Sequence, residues 1–344
     1  MKTYSKIEQT RFESILENLS KAKVGIIGDF CLDIYWHADM KRSELSRETP
    51  HFPLPVVEER MSPGGGGNVV ANMAALSPGT LIPIGVIGND WRGSALESCF
   101  NSIGVDCSYV VRSNTFITNA YCKPMRKGIS EVEYEDPRID FTNYTTLPEE
   151  DEKSLIAILD QVIPQVDILC VSDQMGFGCV TPAVRERILF YAKQGAKIMV
   201  DSRDRIALYS NVILKPNELE AYKAVTGKLG VDIPFDEQVS CGMQLAVQNS
   251  SDVCMTIGSK GNVICKPNEE PIHIETYPVE GPIDICGAGD TFLSAFACAS
   301  AAGALEHEAA FIANLASSIT IKKVNTTGTA TREELIQRYK AIFG

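Results

Sequence analysis

The sequence predicts an α/β protein with a mostly parallel central sheet and helices on both faces. Short apolar runs, each the length of a buried strand, alternate along the chain with longer segments whose apolar residues have helical spacing. Strands that alternate with helices form βαβ units, whose crossovers cover both faces of a parallel sheet. With 344 residues, the chain has room for one large domain with an appendage or for two modest domains.

The first predicted element is an amphipathic helix at residues 11–19, because Phe12, Ile15, Leu16 and Leu19 share one helical face. Strands are then predicted at residues 24–28, 81–86, 168–171, 198–200, 212–214 and 253–257. Helices are predicted between them at residues 68–76, 94–103, 150–163, 182–194, 218–225 and 235–248. The most apolar stretch, residues 291–305, is rich in alanine and too short to span a bilayer, so it predicts a buried helix.

Two stretches break this alternation. Residues 35–62 are rich in charges and contain a β-like run at 51–57 that prolines interrupt. Residues 107–137 alternate polar and apolar side chains without helical spacing. Both patterns predict a few antiparallel strands set apart from the main sheet. Such an insertion is either a lid over a site at the strand ends or a set of ordinary surface hairpins, and the pattern favours neither.

Composition and charge exclude several classes of function. The 32 basic and 44 acidic residues give a net charge of −12, which disfavours a nucleic acid or an anionic membrane as partner. The N-terminus lacks the apolar core of a signal peptide. The 11 cysteines have no metal-binding spacing, so we expect reduced, mostly buried thiols in a cytoplasmic protein. These features together indicate a protein that acts on a small molecule in the cytoplasm.

A run of four glycines lies between Pro63 and Asn68, directly before a predicted helix. Glycines are costly in chain entropy, so a plain linker explains the run poorly. They let a ligand approach the free amides of a helix start, and Asn68 adds a donor and an acceptor for hydroxyls. A tight turn explains the same spacing equally well. The spacing matches neither a P-loop nor a dinucleotide-binding fingerprint, which argues against an NAD-dependent oxidoreductase.

A second glycine-containing loop, residues 284–290, leads directly into an apolar helix. The amides of Gly287, Ala288 and Gly289 are placed to form an anion-binding nest at the positive end of the helix dipole. Asp290 then has two candidate roles. It caps the helix, as an isolated aspartate commonly does, or it accepts the proton of a substrate hydroxyl that attacks a phosphoryl group. The adjacent nest favours the second role.

Two further segments are ambiguous by themselves. Asn217 and Glu220 lie three residues apart in the first turn of a predicted helix, where they suit a partly hydrated Mg²⁺ near phosphates. The same pair is also a capping box, and the sequence does not separate the two roles. Residues 256–261 are typical of a β-hairpin turn, and only the neighbouring motifs suggest the wall of a nucleotide pocket.

Taken in order, these four segments resemble the ribokinase-like (PfkB) family of carbohydrate kinases over residues 24–329. Residues 284–290 are similar to the family's C-terminal signature, with Ile285 in place of a commoner small or hydroxylated residue, and residues 64–68 are similar to its N-terminal signature. The segments that look most like the heptose-phosphate kinases of ADP-heptose synthesis are residues 28–36, 55–57, 63–68, 171–173 and 314–316. We expect a lone kinase domain, without the nucleotidyltransferase domain often fused to those kinases.

The resemblance implies one three-layer α/β/α kinase domain over residues 1–344, with a small β-lid from residues 35–62 and 107–137. It implies transfer from ATP to a hydroxyl of a sugar or sugar phosphate, with Asp290 as general base and the 287–289 amides stabilising the transferred phosphoryl group. The implied binding residues are Asp33, Gly66, Gly67 and Asn68 for sugar hydroxyls, Thr256, Gly258, Gly261 and Asn314 for adenosine, and Asn217 and Glu220 for Mg²⁺ and its waters. A monovalent cation requirement stays open, and the lid is expected to form a homodimer.

Departures from the resembled kinases leave the substrate open. The lid of those kinases carries a lysine and an arginine that suit a substrate phosphate. By alignment, the equivalent residues in this chain are Thr118 and Ala120. A dianion needs paired charge, so a phosphorylated sugar would require Lys123, Arg126 or Arg203 to compensate. The alternatives are a nucleoside or pseudouridine-type kinase of the same fold, or a non-catalytic sugar-binding regulatory relative. The regulatory relative would have no reason to keep both the base and the metal-organising acid.

Overall fold

A computed structural model of the chain describes residues 1–130, 132–324 and 326–344. The strands are β1 (Lys2–Tyr4), β2 (Lys23–Gly28), β3 (Phe30–Asp39), β4 (Val56–Gly65), β5 (Thr80–Gly88), β6 (Val110–Ser113), β7 (Asn119–Lys127), β8 (Glu133–Glu135), β9 (Ile139–Phe141), β10 (Ile168–Asp173), β11 (Ile198–Ser202), β12 (Ile213–Leu214), β13 (Asp252–Thr256), β14 (Asn262–Cys265) and β15 (Ile272–Ile274). The helices are α1 (Gln9–Asn18), α2 (Gly66–Leu76), α3 (Trp91–Ser102), α4 (Glu149–Val162), α5 (Pro182–Lys193), α6 (Glu218–Thr226), α7 (Phe235–Asn249), α8 (Ala288–Ala301), α9 (Glu306–Thr320) and α10 (Arg332–Phe343).

The predicted mostly parallel sheet is confirmed. Among the described residues, ten strands lie in the order β1-β15-β14-β13-β12-β11-β10-β2-β5-β6. Only the two pairs that involve β14 are antiparallel. Each of the six predicted strands is present in this sheet. Strands β1 and β15 and helix α10 were not predicted, because their short or polar sequences carry a weak periodic signal.

Both faces of this sheet are covered, as the three-layer expectation requires. Val24 and Ile26 of β2 belong to an apolar core shared with α1, α2, α8 and α9. Ile27 belongs to a second core, shared with α4, α5 and α7. All three side chains are fully buried. Burying each such side chain contributes roughly 1.5–3 kcal/mol, which accounts for the continuous apolar runs that predicted these strands.

A second sheet, which we call the lid sheet, has the order β4-β3-β7-β8, with β9 beside β7. Two expectations about it are wrong. Strands β3 and β7 pair in parallel, so the lid sheet is not wholly antiparallel. Residues 110–113, assigned to the lid from their alternation, instead form β6 at the edge of the main sheet. An alternating pattern shows that a strand has two unlike faces, but it does not show which neighbour the strand pairs with.

The lid sheet also begins earlier than expected. Strand β3 starts at Phe30, so that only Asp29 separates it from the end of β2. The lid was predicted to start at residue 35. Leu32 and Ile34 of β3 are fully buried in the first apolar core, which holds the root of the lid against the main body. The β-like run at 51–57 is a strand only from Val56 onward, where β4 begins. The predicted lid-mediated homodimer stays a prediction.

The strand order has a topological switch point between β2 and β10, at the middle of the main sheet. The chain proceeds outward from β2 to β5 and β6 on one side, and from β10 to β13 on the other. Loops that leave neighbouring strands in opposite directions open a crevice at the carboxyl ends of those strands, where α/β proteins bind ligands. No helix in the described ranges is long and apolar enough to cross a membrane. The 11 cysteines, all within those ranges, are unpaired, and eight of them are buried.

Candidate active site

Asp290 lies in the first turn of α8 and does not cap that helix. The N-cap is Gly287, whose φ of 78° lies in the left-handed region that favours glycine. The amide of Ala288 donates to the carbonyl of Ile285 at 3.2 Å, whereas no hydrogen bond within the described ranges uses the amide of Gly287 or Gly289. Two of the three predicted nest amides, those of Gly287 and Gly289, are therefore available beside the carboxylate, whereas the amide of Ala288 is engaged, and anion binding by this loop stays a prediction.

The two glycine-containing segments meet in space through Asp290 and Asn68. Asn68 Nδ2 donates to Asp290 Oδ2 at 2.7 Å, although the residues are 222 positions apart in the chain. Ser294 Oγ donates to the carbonyl of Val69 at 3.0 Å and so holds α8 against α2. The two glycine-containing segments therefore contribute to one site. The segment at 284–290 supplies the carboxylate, and the segment at 63–68 supplies the amide side chain that contacts it.

Burial raises the pKa of Asp290 to about 6, and the hydrogen bond from Asn68 opposes this rise. The negative charges of Asp201 and Asp33 raise the pKa further, whereas Lys215 lowers it. These four side chains come from α2, β11, β3 and the residue after β12, so elements far apart in sequence converge on one carboxyl group. A carboxylate with a pKa near the working pH is well matched to general-base catalysis.

Lys215 and Asp201 belong to this site but were not assigned to it from the sequence. Lys215 is only 3% exposed, and its Nζ donates to Asp201 Oδ2 at 2.7 Å. The ammonium group also lies 3.6 Å from where a Cβ would stand at Gly289, and so beside the anion nest. Both residues lie at the carboxyl ends of neighbouring parallel strands. A charged residue at the end of an apolar strand is the signal that would have found them.

Asn217 and Glu220 form the capping box that was one of their two predicted roles. Asn217 Oδ1 accepts from the amides of Leu219 and Glu220 at 2.9 and 2.8 Å, and Glu220 Oε2 accepts from the amide of Asn217 at 2.8 Å. Such a cap stabilises a helix by about 1 kcal/mol. Burial raises the pKa of Glu220, and the charge of Asp201 raises it further, so the two carboxylates lie within electrostatic reach of each other. Glu220 therefore closes the capping box and also lies close to the charged residues of the site.

The residues predicted to line an adenosine pocket lie near one another. Thr256 ends β13 and Gly258 follows in the turn of the predicted hairpin, which is present as β13 and β14. Gly261 approaches the end of β15 so closely that a Cβ there would lie 2.2 Å from the carbonyl of Ile274. Asn314 of α9 donates to the same carbonyl at 3.3 Å. Thr256 and Asn217 form an isolated parallel β-bridge, which joins this group to the start of α6. Their role in nucleotide binding stays a prediction.

The lid sheet places Asp33 on the same face as a lysine. Asp33 is 6% exposed, and Lys123 Nζ lies 3.4 Å from its Oδ2 and 3.0 Å from the hydroxyl of Tyr35. Burial raises the pKa of Asp33, and Lys123 opposes this rise. In the parallel pair of β3 and β7, Asp33 faces Tyr121 and Tyr35 faces Lys123. The odd-numbered residues of β7 are therefore the ones on the Asp33 face.

The register also shows where Thr118 and Ala120 lie, the two residues aligned with the phosphate-binding cations of the resembled kinases. Ala120 pairs with Leu32 and is fully buried in the apolar core. Thr118 is 1% exposed, and its Oγ1 accepts from the amide of Gly88 at 2.8 Å. Asn119 and Tyr121 are the residues that share the Asp33 face, one position later in each case. Neighbouring residues of a strand lie on opposite faces, so the linear sequence does not show which of them shares the face of Asp33.

The glycine run before Asn68 has a packing function. Helix α2 begins at Gly66, inside the run rather than after it. A Cβ at Gly66 would lie 3.2 Å from Gly28 Cα, and the Gly66 amide donates to the carbonyl of Asp29 at 3.0 Å. Gly66 and Gly67 are buried. The close approach of α2 to the junction of β2 and β3 therefore requires small residues here, and contact of these glycines with sugar hydroxyls stays a prediction.

The fold and the site together define an α/β protein with a lid sheet and a carboxylate beside available helix-start amides. The family described as pfkB family carbohydrate kinase matches residues 32–332, and the chain belongs to this family. The resemblance predicted from the four sequence segments is thus confirmed.

Individual relatives agree with this assignment. The chain is 30% identical over 320 residues to the bifunctional protein HldE of Haemophilus influenzae (strain PittEE), which is 91% of this chain and 63% of that protein. It is also 30% identical over 328 residues to HldE of Pectobacterium atrosepticum, which is 93% of this chain and 64% of that protein. The chain therefore spans just under two thirds of the length of these relatives.

Solved structures share the fold. Arabidopsis thaliana ribokinase complexed with ribose and ATP matches with a TM-score of 0.70 and 20% identity, covering 93% of this chain and 99% of that one. Phosphofructokinase-2 from Escherichia coli in complex with substrates and products matches with a TM-score of 0.72 and 20% identity over the same shares. The predicted ribokinase-like fold is therefore confirmed.

Proposed function

We propose that the chain transfers the terminal phosphoryl group of ATP to a hydroxyl of a sugar or sugar phosphate, and that Asp290 accepts the proton of that hydroxyl. One observation carries the proposal. A carboxyl group with a pKa of about 6 lies beside two available amides at a helix start and near a buried lysine. Phosphoryl transfer needs this combination of a proton acceptor with fixed donors for the charge on the transferred group.

Each part of the site then has a separate task. The amides of Gly287 and Gly289, with Lys215, hold the oxygens of the transferred phosphoryl group. Asp33 and Asn68 bind the sugar so that one hydroxyl points at Asp290, which takes its proton as the new O–P bond forms. Because little covalent chemistry falls to the protein, this positioning and charge stabilisation supply most of the rate enhancement.

The donor set here also fits Mg²⁺. In the described residues, no three His, Cys, Asp or Glu side chains cluster closely enough to hold a metal ion by themselves. Mg²⁺ in kinases does not need such a cluster, because it keeps several waters and uses one or two carboxylates together with substrate phosphates. Glu220 and Asp201 would hold those waters beside Lys215. When bound, the ion would neutralise charge on the phosphates.

The test is an ADP-release screen with hexoses, heptose phosphates and nucleosides, run with wild type and with Asp290→Asn. We expect at least one sugar or sugar phosphate to release ADP in wild type at a rate well above that of the variant. Turnover confined to nucleosides would support the nucleoside-kinase alternative. Absence of turnover together with absence of ATP binding would contradict the proposal and support the regulatory relative.

The proposal also predicts a pH dependence. Only ionised Asp290 accepts a proton, and its pKa is raised to about 6, so turnover should increase as pH rises through this value. Well below that pH, kcat/KM should change by about tenfold per pH unit, and above pH 7 it should level off. The measurement is kcat/KM, which reports the free enzyme, for the substrate found in the screen, from about pH 5 to pH 8 at constant ionic strength. A profile that is flat across this range would contradict the role of Asp290.

A further inference from the structure

The nitrogen end of the Asn68 amide faces the carboxyl group of Asp290. Asn68 presents its Nδ2 to Asp290 Oδ2 at 2.7 Å, a contact that stabilises the ionised carboxylate. A half-turn of the amide would exchange Nδ2 for Oδ1 and place two oxygens at this distance. The flipped arrangement repels the carboxylate and accepts a hydrogen bond from the protonated acid, so it favours the form that cannot act as a base. The productive orientation therefore needs a partner that distinguishes the two ends of the amide.

Asn72, one turn later on α2, is that partner. Its Nδ2 donates to Asn68 Oδ1 at 3.2 Å and to the backbone carbonyl of Asn68 at 2.9 Å. If Asn72 itself were flipped, its Oδ1 would face both of these acceptors, which is unfavourable twice over. Asn72 is 2% exposed, so water does not readily replace these partners. Asn72 thus fixes which end of Asn68 faces Asp290.

Thr291 completes the chain of contacts. Its Oγ1 donates to Asn72 Oδ1 at 2.9 Å, and its side chain is 2% exposed. Thr291 directly follows Asp290 in α8, so the contacts run from α8 to Asn72, on to Asn68 and back to α8. A hydroxyl can donate or accept, so Thr291 holds Asn72 in place, whereas the two acceptors on Asn68 decide which end of the Asn72 amide faces them. The ring orients the Asn68 amide without either Asn72 or Thr291 touching Asp290 through its side chain.

We propose that Asn72 and Thr291 are positioning residues that hold the Asn68 amide with its N–H on Asp290 and thereby keep this carboxyl group ionised near neutral pH. The relevance to catalysis rests on the proposed function, whereas the ring of hydrogen bonds does not. One consequence concerns Asn68, predicted to bind sugar hydroxyls. One of its N–H groups and one lone pair of its Oδ1 are already engaged, so one N–H and one lone pair are left for substrate.

Two substitutions test the ring directly, and two others serve as matched controls. Thr291→Val keeps the volume of the side chain and removes the hydroxyl, while Asn72→Leu removes both amide contacts. Thr291→Ser keeps the hydroxyl and should restore the wild-type behaviour. Ser294→Ala removes a buried hydroxyl from the same helix, one that ties α8 to α2 but contacts neither amide side chain.

The measurement is the pKa of the Asp290 carboxyl group in the ligand-free protein, by ¹³C NMR of labelled aspartate assigned with Asp290→Asn. We expect Asn72→Leu to raise this pKa by about one unit, which corresponds to about a tenfold loss of the ionised fraction well below pH 6, and Thr291→Val to raise it by less, because the two acceptors on Asn68 still orient Asn72. Thr291→Ser should leave it near the wild-type value. Ser294→Ala should lower the thermal midpoint without moving the pKa. The groups that face Asp290, which are Asp33, Asp201, Lys215 and the thiols of Cys31 and Cys286, are unchanged in all four proteins.

Two results would overturn the proposal. One is an unshifted Asp290 pKa in folded Asn72→Leu protein, or in Asn72→Ala protein if Asn72→Leu does not fold. The other is an equal shift in Ser294→Ala, which would mean that loosening the contact between α8 and α2 is sufficient. Because the titration needs neither ATP nor sugar, its result is independent of the ADP-release screen, and failure of one is distinguishable from failure of the other.

Discussion

Asp290→Asn is expected to lower kcat by about 10²- to 10⁴-fold while leaving the affinity for ATP nearly unchanged. Asparagine has the size of aspartate and offers an oxygen to the Asn68 Nδ2, so the local contacts survive. It cannot take a proton from the attacking hydroxyl, so the reaction loses its base. Single-turnover rates and equilibrium binding of ATP separate the two quantities.

The same variant should be more stable than wild type at neutral pH. Burial raises the pKa of Asp290 to about 6, so ionising this group above that pH costs folding free energy. The neutral amide avoids this cost at pH 7 and has no such advantage at about pH 4, where wild type is protonated as well. Glu44→Gln, which changes an exposed carboxylate, is a control for the loss of charge. Retention of wild-type turnover by Asp290→Asn would show that another group is the base.

Lys215→Met should have the second largest effect, because it acts on stability and on turnover. Removing the ammonium leaves Asp201 buried without its partner at 2.7 Å, which we expect to destabilise the fold by about 3–5 kcal/mol. It also removes a donor beside Gly289, a loss comparable to deleting one oxyanion-hole contact, at about 10²- to 10³-fold in kcat. Denaturant unfolding and ADP release measure the two effects separately.

The double variant Lys215→Met/Asp201→Asn distinguishes the structural role of Lys215 from its catalytic one. With both charges removed, the buried pair no longer leaves an unpaired ion, so most of the lost stability should return. Turnover should stay well below that of Asp201→Asn alone, because, of these two proteins, only the double variant lacks the cation beside the anion nest. If turnover returned together with stability, Lys215 would be only a structural partner of Asp201, and its assignment to the transferred phosphoryl group would be wrong.

The local elements of this fold were predictable because each depends on residues close together in the chain. The runs at 24–28 and 168–171 predicted buried strands, and β2 and β10 contain them. The capping box of Asn217 and Glu220 and the hairpin at 256–261 were predictable for the same reason. The pairing of β3 with β7, by contrast, depends on which strand lies alongside, and the alternating pattern of 107–137 contains no information about that neighbour.

The amino-acid sequence by itself determined the fold class, the positions of most strands and helices, and the residue types of the glycine loops and of Asp290. Periodicity and motif spacing are local properties, so a linear pattern is enough to specify them. Only the tertiary structure decided that Lys215 pairs with Asp201, that Lys123 rather than Ala120 shares the face of Asp33, and that Asn72 orients Asn68. Burial, register and the pairing of donors with acceptors are set by neighbours across the sheet and between helices, and these become adjacent only when the chain folds.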